Sequence, residues 1–384
     1  MAPLGGSVAG DVRRGPAFGV NWLAAPVLLS ACYQVIVLLA AARRIKPQRT
    51  RSGFAPPVSI LKPVHGGEAG FYRAIASHAE QQYPEFEILF GVRDPHDTAL
   101  ADIHRLANEF PHVPIRIVTA IERTPNGKTG ALAALAAAAR HPILLINDSD
   151  ITVEPGYLNT VVAPLREPST GLVTCLYRAR STSFPARCEA LGIATDFAPS
   201  VLVARLLGVA EFALGSTMVF RAADLRRIGG FEAFPDYLAD DYQLGLRITQ
   251  LGLRVALADM VVETNLGAGS WRDVWKHQVR WSRTVRVSRT SGYYGYIATQ
   301  TSFWALVACL GGAWRPALAV VIIRILAGVA VGGGVLRDRE VVRYWWLIPL
   351  RDLFGFAVWA AGLTGNTVEW RGQKLRVSNE GRIH

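Results

Sequence analysis

A stretch of 25 residues, 18–42, carries no charged side chain, and it constrains the fold of this chain more than any other feature. At a rise of about 1.5 Å per residue, a helix of this length crosses the roughly 30 Å hydrocarbon core of a bilayer. It is too long for the apolar part of a signal peptide. We therefore expect a transmembrane anchor over residues 18–42, preceded by a short tail over residues 1–17.

Basic residues are distributed unevenly around this anchor. Two precede it and five follow within nine positions: Arg13 and Arg14, then Arg43, Arg44, Lys46, Arg49 and Arg51. Because the cytoplasmic flank of a membrane helix carries the excess of Lys and Arg, the chain should begin outside and continue into the cytoplasm. This pattern predicts an integral membrane protein with its middle domain in the cytoplasm.

Three more apolar stretches cover residues 296–314, 316–336 and 345–365. The second contains Arg324, and the third contains Arg351 and Asp352; such charges are costly in lipid and usually face protein or water. We therefore expect residues 296–365 to form transmembrane or re-entrant helices. Four full spans would leave the basic tail, residues 366–384, outside, whereas its charge favours the cytoplasm. One segment could accordingly be re-entrant or interfacial.

Residues 56–291 have an ordinary soluble composition and alternate strand patterns with helix patterns. Strands are predicted at 58–64, 86–94, 115–120 and 143–150, with helices at 71–83, 98–110 and 129–141. Such a series predicts an α/β domain with a parallel sheet and helices on both faces. Ligands of these sheets bind beyond the carboxyl ends of the strands. Neither GxGxxG nor GxxxxGK[ST] occurs there, which argues against a dinucleotide fold and a P-loop.

The charge and cysteine content exclude other classes. The net charge is +11, but the basic residues flank apolar segments or cluster at 272–289, and no nucleic-acid motif accompanies them. We therefore expect no nucleic-acid partner. The four cysteines form no CxxC pair, so neither a disulfide framework nor a structural zinc site is expected.

The most suggestive polar motif follows the fourth predicted strand. Asp148 and Asp150 stand one residue apart directly after the apolar run ILLI. Alternation along a strand would point both carboxylates to one face. Two hard oxygen ligands suit Mg²⁺ or Mn²⁺, which takes its other ligands from water and substrate phosphates. A divalent metal held by Asp148 and Asp150 is one interpretation; a turn or helix cap is the other.

Two later motifs have the same double interpretation. Asp240 and Asp241 open an amphipathic helical pattern, where acidic residues commonly cap a helix. Residues 271–289 carry three tryptophans among seven basic residues, counting His277. This segment could be a basic helix on the membrane surface. It could equally bind a diphosphate, because arginine presents a planar fork to phosphate oxygens.

Taken in order, these motifs resemble the ceramide glucosyltransferase family. The resemblance is carried by SILKP (59–63), VRDPHD (92–97), NGK (126–128), DSD (148–150), ADDY (239–242) and HQVRW (277–281). The intramembrane LRD (350–352) and the tail WRGQKLRV are further points of likeness. The resemblance implies a GT-A core with transmembrane helices at both ends, and inverting transfer from a nucleotide sugar.

The resemblance also implies roles for individual residues. The side chains expected to bind the nucleotide sugar are Asp94, Asp97, Asn126, Lys128, Asp148, Arg280 and Trp281. Asp94 and Asp97 would hold the uridine and ribose, and Lys128 would support the phosphates. Asp148 and Asp150 would hold a divalent metal, Mg²⁺ or Mn²⁺.

On the acceptor side, Asp241 would be the catalytic base that takes the proton of the attacking hydroxyl. Asp240, His277 and Gln278 are expected on the acceptor or diphosphate side. His277 stands where the family's last motif carries Gln or Arg, and Gln278 follows one place later, so either could fill that position.

The implied reaction moves a hexose from a UDP-sugar to the hydroxyl of a membrane lipid. Glucosylation of ceramide is the first expectation, and transfer of N-acetylglucosamine to a hopanoid is the alternative, because the motifs concern the donor rather than the lipid. A polysaccharide synthase and an inactive membrane scaffold are weaker alternatives. The expected partners are thus a UDP-sugar, a lipid acceptor and the bilayer.

Overall fold

A computed structural model of the chain describes residues 21–45, 53–67, 70–119, 121–370 and 373–383. Its main sheet has seven strands: β1 (Val58–Val64), β2 (Phe86–Val92), β3 (Ile115–Val118), β4 (Ile143–Ile146), β5 (Thr170–Arg180), β6 (Met218–Arg221) and β7 (Arg254–Asn265). Their order in the sheet is β3-β2-β1-β4-β6-β5-β7. The four strands predicted from sequence lie together at one side of it.

Strands β1 to β4 are parallel, as predicted. β6 is antiparallel to both neighbours, β4 and β5, and β7 runs parallel to β5, so the complete sheet is mixed. The strand predicted over residues 143–150 stops at Ile146, where its pairing with Leu61 and Met218 ends. The motif DSD therefore lies in a loop, and strand alternation does not orient its carboxylates.

The helices in chain order are α1 (Asn21–Ile45), α2 (Phe71–Ala79), α3 (Ala99–Glu109), α4 (Gly127–Ala138), α5 (Tyr157–Val162), α6 (Phe184–Gly192), α7 (Ala198–Leu206), α8 (Ala222–Arg227), α9 (Asp240–Gln250), α10 (Trp271–Ser288), α11 (Thr290–Gly295), α12 (Thr301–Leu310), α13 (Trp314–Val329), α14 (Arg339–Arg343) and α15 (Ile348–Gly362). A π-helical turn, Ile193–Phe197, joins α6 to α7, and another, Ala330–Val335, prolongs α13.

The sheet is covered by helices on both faces, as predicted. Successive side chains of β1 enter different cores: Ile60 packs with the helices α2 and α3 on one face, and Leu61 packs with α4 and α9 on the other. Both are fully buried, as strands covered on two faces require. Burial of one such side chain contributes about 1.5–3 kcal/mol. The carboxyl ends of the parallel strands β1 to β4 are thereby held at one edge of the sheet.

Two helices are long and apolar enough to cross a membrane, within the ranges that the structure describes: Ala24–Ile45 and Trp314–Val335. The anchor predicted at 18–42 corresponds to the first, although residues 18–20 lie outside the described residues. The stretch predicted at 296–314 contains only the ten-residue α12. A helix of that length rises about 15 Å, roughly half a bilayer core. The stretch at 345–365 contains α15, which has 15 residues.

One face of α13 is suited to lipid. Trp314, Leu318, Ile322 and Leu326 recur every fourth residue and are all about half exposed. The other face packs against α1 and α12 through small and β-branched residues such as Ala317 and Val320. This arrangement is expected of a helix with one side in a bilayer and the other in a bundle.

The C-terminal tail returns to the α/β domain. It contains a two-stranded hairpin, β8 (Thr367–Trp370) and β9 (Gln373–Arg376). Beyond it, the N–H of Ile383 donates to the carbonyl of Asp236 at 2.7 Å, and the N–H of Leu238 donates to the carbonyl of Gly381 at 3.1 Å. The tail thus lies against the loop that leads into α9, on the same side of the membrane helices as the sheet.

Candidate active site

A lysine and two aspartates from three segments meet beyond the carboxyl end of β4. Lys128 lies in the first turn of α4, and its Nζ is 2.9 Å from Oδ1 of Asp148 and 3.2 Å from Oδ2 of Asp240. Burial alone would lower the pKa of Lys128, but the surrounding aspartates raise it above its usual value. The lysine is therefore held as a cation between the two carboxylates.

Asp241 joins this group through the backbone of Gly215. The N–H of Gly215 donates to Oδ2 of Asp241 at 3.0 Å. A Cβ atom on Gly215 would lie 3.3 Å from Oδ2 of Asp148, 3.5 Å from Oδ2 of Asp241 and 3.7 Å from Nζ of Lys128. The two aspartates and the lysine therefore surround one backbone position, and a side chain there would fill the space between them.

The environment of Asp241 suits a proton acceptor. Burial raises the pKa of Asp241 first, and the charge of Asp240 raises it further, while Lys128 opposes both; the result is about 6. A carboxylate with this pKa is mostly ionised near neutrality, yet it is a stronger base than an ordinary aspartate.

The carboxylate of Asp150, on the same loop, contacts β7. Its Oδ2 accepts a hydrogen bond from the hydroxyl of Thr264 on β7. Burial, with the charge of Asp148, raises the pKa of Asp150. The fully buried Lys62 supports this loop, because its Nζ donates to the backbone carbonyl of Asp148 at 3.3 Å. Burial lowers the pKa of this lysine to about 7.

The described residues contain no group of three or more His, Cys, Asp or Glu side chains that could enclose a metal ion. A Mg²⁺-type ion bound through donor phosphates needs only one or two carboxylates. The side chain of Asp148 is 46% exposed, so it can meet such an ion. Asp148 therefore fits an open site that is completed by water and substrate, whereas the Asp150 carboxylate is hydrogen-bonded to Thr264, so its role as a metal ligand stays a prediction.

A buried polar network holds the end of β4 in place. Asn147, directly before Asp148, donates from Nδ2 to Nε2 of His78 at 2.6 Å. The same Nδ2 lies 3.5 Å from the hydroxyl of Tyr157, which is 2.9 Å from Oγ1 of Thr217. Thr217 is two residues from Gly215, so one chain of hydrogen bonds supports both sides of the site.

Asn126 positions Lys128. It is fully buried, and its Oδ1 accepts from the N–H of Lys128 at 2.9 Å, which caps α4. Its Nδ2 donates to the carbonyl of Tyr237 at 2.7 Å, three residues before Asp240. The amide therefore ties the start of α4 to the loop that leads into α9.

Asp94 and Asp97 lie on the loop after β2, at the same edge of the sheet. Asp97 accepts from the N–H groups of Gly66 and Ala99, each at 2.9 Å, and so joins the loops that follow β1 and β2. Asp94 is exposed and accepts from the N–H of His96 at 2.9 Å. Their nucleotide contacts stay a prediction.

On helix α10, the first two residues of the motif HQVRW contact different parts of the structure. Nδ1 of His277 is 2.5 Å from Oε1 of Glu189 on α6. Gln278 instead accepts at 3.1 Å from Nη2 of Arg351 on α15. The two candidates for the first motif position thus contact different partners, and Gln278 is the one that faces the membrane helices. Arg280 lies partly buried on the same helix.

Trp281 reaches the site through aromatic neighbours. Its ring centroid is 4.6 Å from that of His277 and 6.4 Å from that of Phe197, and Phe197 in turn lies 5.5 Å from Tyr177 of β5. Burial raises the pKa of the Tyr177 hydroxyl, and the charges of Asp241 and Asp148 add to the effect. Tyr177 is therefore close enough to the carboxylates to feel their charge, and Phe197 connects it to Trp281.

Four residues of the site are absent from the sequence-based set of site residues: Lys62, Tyr177, Glu189 and Gly215. Lys62 had a signal, because a lysine within the apolar strand SILKP needs a reason to be buried. Glu189 had a weaker one, since it precedes an apolar stretch. Tyr177 and Gly215 reach the site only through β5 and the approach to β6, which no local pattern reveals.

A family model described as Glycosyl transferase family 21 matches residues 22–383. Ceramide glucosyltransferase 1 from Caenorhabditis elegans is 29% identical over 263 residues, covering 62% of this chain and 55% of that protein. Ceramide glucosyltransferase 3 from the same organism is 25% identical over 283 residues, covering 71% and 61%. The matches therefore span about half to three fifths of these relatives.

Among solved structures, the mannosyltransferase PcManGT from Pyrobaculum calidifontis, in complex with GDP-Man and Mn²⁺, is similar with a TM-score of 0.54. The sequences are 19% identical, and the match covers 89% of this chain and 98% of that one. At this identity the likeness concerns the fold, which is the GT-A type predicted from the sequence motifs.

Proposed function

The chain belongs to glycosyl transferase family 21, the ceramide glucosyltransferase family, and from this premise we propose that it transfers a hexose with inversion from a UDP-sugar to the hydroxyl of a membrane lipid. The observation that carries the proposal is the convergence of Lys128, Asp148, Asp240 and Asp241 around Gly215. This convergence supplies one base and one cation at the edge of the sheet where substrates of such folds bind.

Asp241 is the proposed general base. Inversion requires the acceptor oxygen to attack the sugar carbon from the side opposite the leaving group, and one base must take the hydroxyl proton. A pKa of about 6 keeps the Asp241 carboxylate ionised at neutral pH. The Gly215 N–H, 3.0 Å from Oδ2, fixes one oxygen so that the carboxylate keeps a single orientation.

Lys128 and Asp148 form the donor side. Lys128 offsets one of the negative charges of Asp148 and Asp240, which reduces the repulsion that an approaching diphosphate meets. Asp148 and Asp150 would hold a divalent cation, Mg²⁺ or Mn²⁺, which when bound offsets the negative charge on the departing nucleoside diphosphate. Asp94, Asp97, Arg280 and Trp281 are proposed to contact the donor around this centre.

The acceptor is proposed to enter from the bilayer beside α10. Phe184, Trp271 and Trp275 are 48%, 48% and 37% exposed, and Trp271 and Trp275 both lie 5.8 Å from Phe354 between ring centroids. An aromatic surface next to membrane helices suits an apolar chain. His277 and Gln278 lie on the same helix, between this surface and Trp281.

Ceramide is the first candidate acceptor because the curated relatives are ceramide glucosyltransferases. A hopanoid that receives N-acetylglucosamine is the second, since the site residues concern the donor and leave the lipid open. We propose the domain limits 18–42, 56–291 and 296–365 for anchor, catalytic domain and C-terminal membrane helices, with the tails 1–17 and 366–384. The catalytic domain would face the cytoplasm, in a bacterial inner membrane.

The test is expression in a host that lacks glycolipids, followed by mass spectrometry of its lipids. A new hexosyl ceramide supports the first acceptor, and a new hexosaminyl hopanoid supports the second. Purified protein should release UDP when metal, UDP-sugar and lipid extract are combined. No new glycolipid and no UDP release with either acceptor would contradict the proposal.

Asp241→Asn should lower the rate of transfer by about 100-fold or more, because the variant cannot take the acceptor proton. Binding of the UDP-sugar should persist, since Asp241 is assigned to the acceptor. Glu80→Gln is the control, because Glu80 is an exposed carboxylate outside the site. Full turnover by the Asp241 variant would remove this residue as the base.

A further inference from the structure

A cleft of about 560 Å³ lies away from the catalytic carboxylates, between the ends of β5 and β7, α6 and the segment that follows α13. Five arginines and a tyrosine define this basic cleft: Arg178, Arg180, Arg187, Arg337, Arg339 and Tyr344. Three carboxylates, Glu263, Asp338 and Glu340, also line it. The cleft therefore combines space for a small polar group with an excess of positive charge.

The arginines differ in how far they are already paired. Arg178 and Arg180 both pair with Glu263. Arg187 lies 3.2 Å from Glu340 and stacks over the ring of Tyr344 at 4.9 Å. Because the single carboxylate of Glu263 pairs with two arginines, this wall of the cleft keeps a net positive charge.

Arg337 and Arg339 are exposed; Arg337 lies just before α14, and Arg339 is the first residue of that helix. Arg337 has a φ of 53° and is, among the described residues, the one non-glycine residue with positive φ. That conformation is unfavourable for a residue with a Cβ, so it persists only where surrounding contacts hold it. Arg337 and the residues that follow it as far as Val341 line the basic cleft.

The cleft lies close to one end of the two membrane-length helices. The membrane-length helix Trp314–Val335 ends two residues before Arg337. The end of α1 is at the same level, because a Cβ on Gly334 would be 3.2 Å from Ile45. Trp345 and Trp346 are each about half exposed nearby, as tryptophans at a membrane–water interface commonly are.

We propose that the basic cleft binds the phosphate of an anionic phospholipid headgroup, separately from the lipid acceptor. Arginine forks bind phosphate oxygens in pairs, and an anionic leaflet attracts basic groups at this depth. A neutral acceptor that offers a hydroxyl has no use for five arginines. The bound lipid would join α6 of the catalytic domain to the segment after α13, through Arg187 on one side and Arg337 and Arg339 on the other.

The test is a titration of the purified full-length protein in detergent, read by native mass spectrometry. Phosphatidylglycerol and phosphatidylcholine are added separately, and the bound fraction of each is measured. Wild type should bind phosphatidylglycerol more tightly than phosphatidylcholine. The double variant Arg337→Gln/Arg339→Gln should lose about 30-fold in affinity for phosphatidylglycerol, and little for phosphatidylcholine.

The control is Arg166→Gln/Arg226→Gln, which removes the same charge from two exposed arginines outside the cleft. It should bind phosphatidylglycerol as wild type does. Equal binding by both double variants would overturn the proposal. Inorganic phosphate at millimolar concentration is the second probe: if it displaces the lipid fully, the cleft is a site for free phosphate and the membrane assignment is wrong. Because binding is the readout, the result stands apart from the proposed transfer reaction.

Discussion

Asp241 combines two properties that oppose each other in most aspartates, burial and ionisation. Burial raises its pKa, while Lys128 and the N–H of Tyr242, at 2.7 Å from Oδ1, favour the charged form. The adjacent Asp240 raises the pKa again, and the balance falls at about 6. The basicity of this residue is thus set by its neighbours.

This balance predicts a pH dependence. The value of kcat/KM should fall below pH 6, by about tenfold per unit, because protonated Asp241 cannot accept a second proton. In Asp240→Asn one cause of the raised pKa is gone, so the acid limb should move to lower pH. The pH–rate profiles of wild type, Asp240→Asn and Glu80→Gln check this. An acid limb that stays in place in Asp240→Asn, or moves to higher pH, would contradict it.

Sequence alone could place Asp148 and Lys128 because both follow from local patterns. An apolar run that ends in acidic residues marks a strand end, although the strand stops at Ile146, and Lys128, predicted just before a helix at 129–141, lies in the first turn of α4. The contact of Asp148 with Gly215 could not be predicted. It depends on β6, which enters the sheet between β4 and β5 from a distant part of the chain.

At the scale of elements, α13 and α15 share a buried ion pair inside the membrane bundle. Nη2 of Arg324 is 2.7 Å from Oδ1 of Asp352, and Nε is 2.9 Å from Oδ2. Both side chains are under 10% exposed. The sequence showed these charges within apolar stretches, and the structure explains them: each is paired in the protein interior, where lipid does not reach.

Breaking this pair should destabilise the bundle. Asp352→Ala removes the hydrogen-bonded counterion of the buried Arg324 and should lower the free energy of unfolding by about 3–5 kcal/mol. The double variant Arg324→Met/Asp352→Leu should recover most of that loss, because the buried guanidinium that has lost its partner is removed as well. Unfolding in detergent by heat or denaturant measures both. A single variant as stable as wild type would show that water or lipid headgroups reach the pair.

The apolar stretches show that the composition of a segment does not predict the length of the helix that forms in it. Residues 296–314 are apolar enough to suggest a span, yet the chain forms a short 3-10 turn, Tyr296–Thr299, and the ten-residue α12 there. Gln300 and Thr301, both buried, interrupt the apolar surface, and Thr301 accepts from the side chain of Gln34 on α1 at 2.8 Å. The residues that bury Gln300 and Thr301 lie on other helices, so the local sequence does not indicate this interruption.

At the scale of the whole molecule, the tail connects the far end of the chain to the site. Arg382 lies 3.1 Å from Asp236, and Ile383, which is 1% exposed, packs with Leu238. The loop they hold carries Tyr237, whose carbonyl binds Asn126, and it leads directly to Asp240 and Asp241. The sequence of the tail predicted only a basic segment. The tail and the loop that it packs against are more than 100 positions apart in the chain, so no local pattern indicates their contact.

Disturbing the tail should therefore impair the reaction from a distance. Ile383→Asp buries a charge under this loop and should lower kcat by about 100-fold, since small displacements of catalytic groups have effects of that size. Glu380→Gln is the control, because its side chain is 78% exposed. Turnover at fixed donor concentration, together with donor binding, checks the prediction. Normal turnover in Ile383→Asp would show that the loop keeps its shape without the tail.

The docked tail also has a consequence for biosynthesis. The seven-stranded sheet is complete by Asn265, so it can fold while later segments are still being translated. The loop that leads to the base, however, is clamped by residues made after every membrane helix. A nascent chain that has folded its sheet therefore still lacks the contacts that hold this loop, and it gains them only when residues 377–383 have been made.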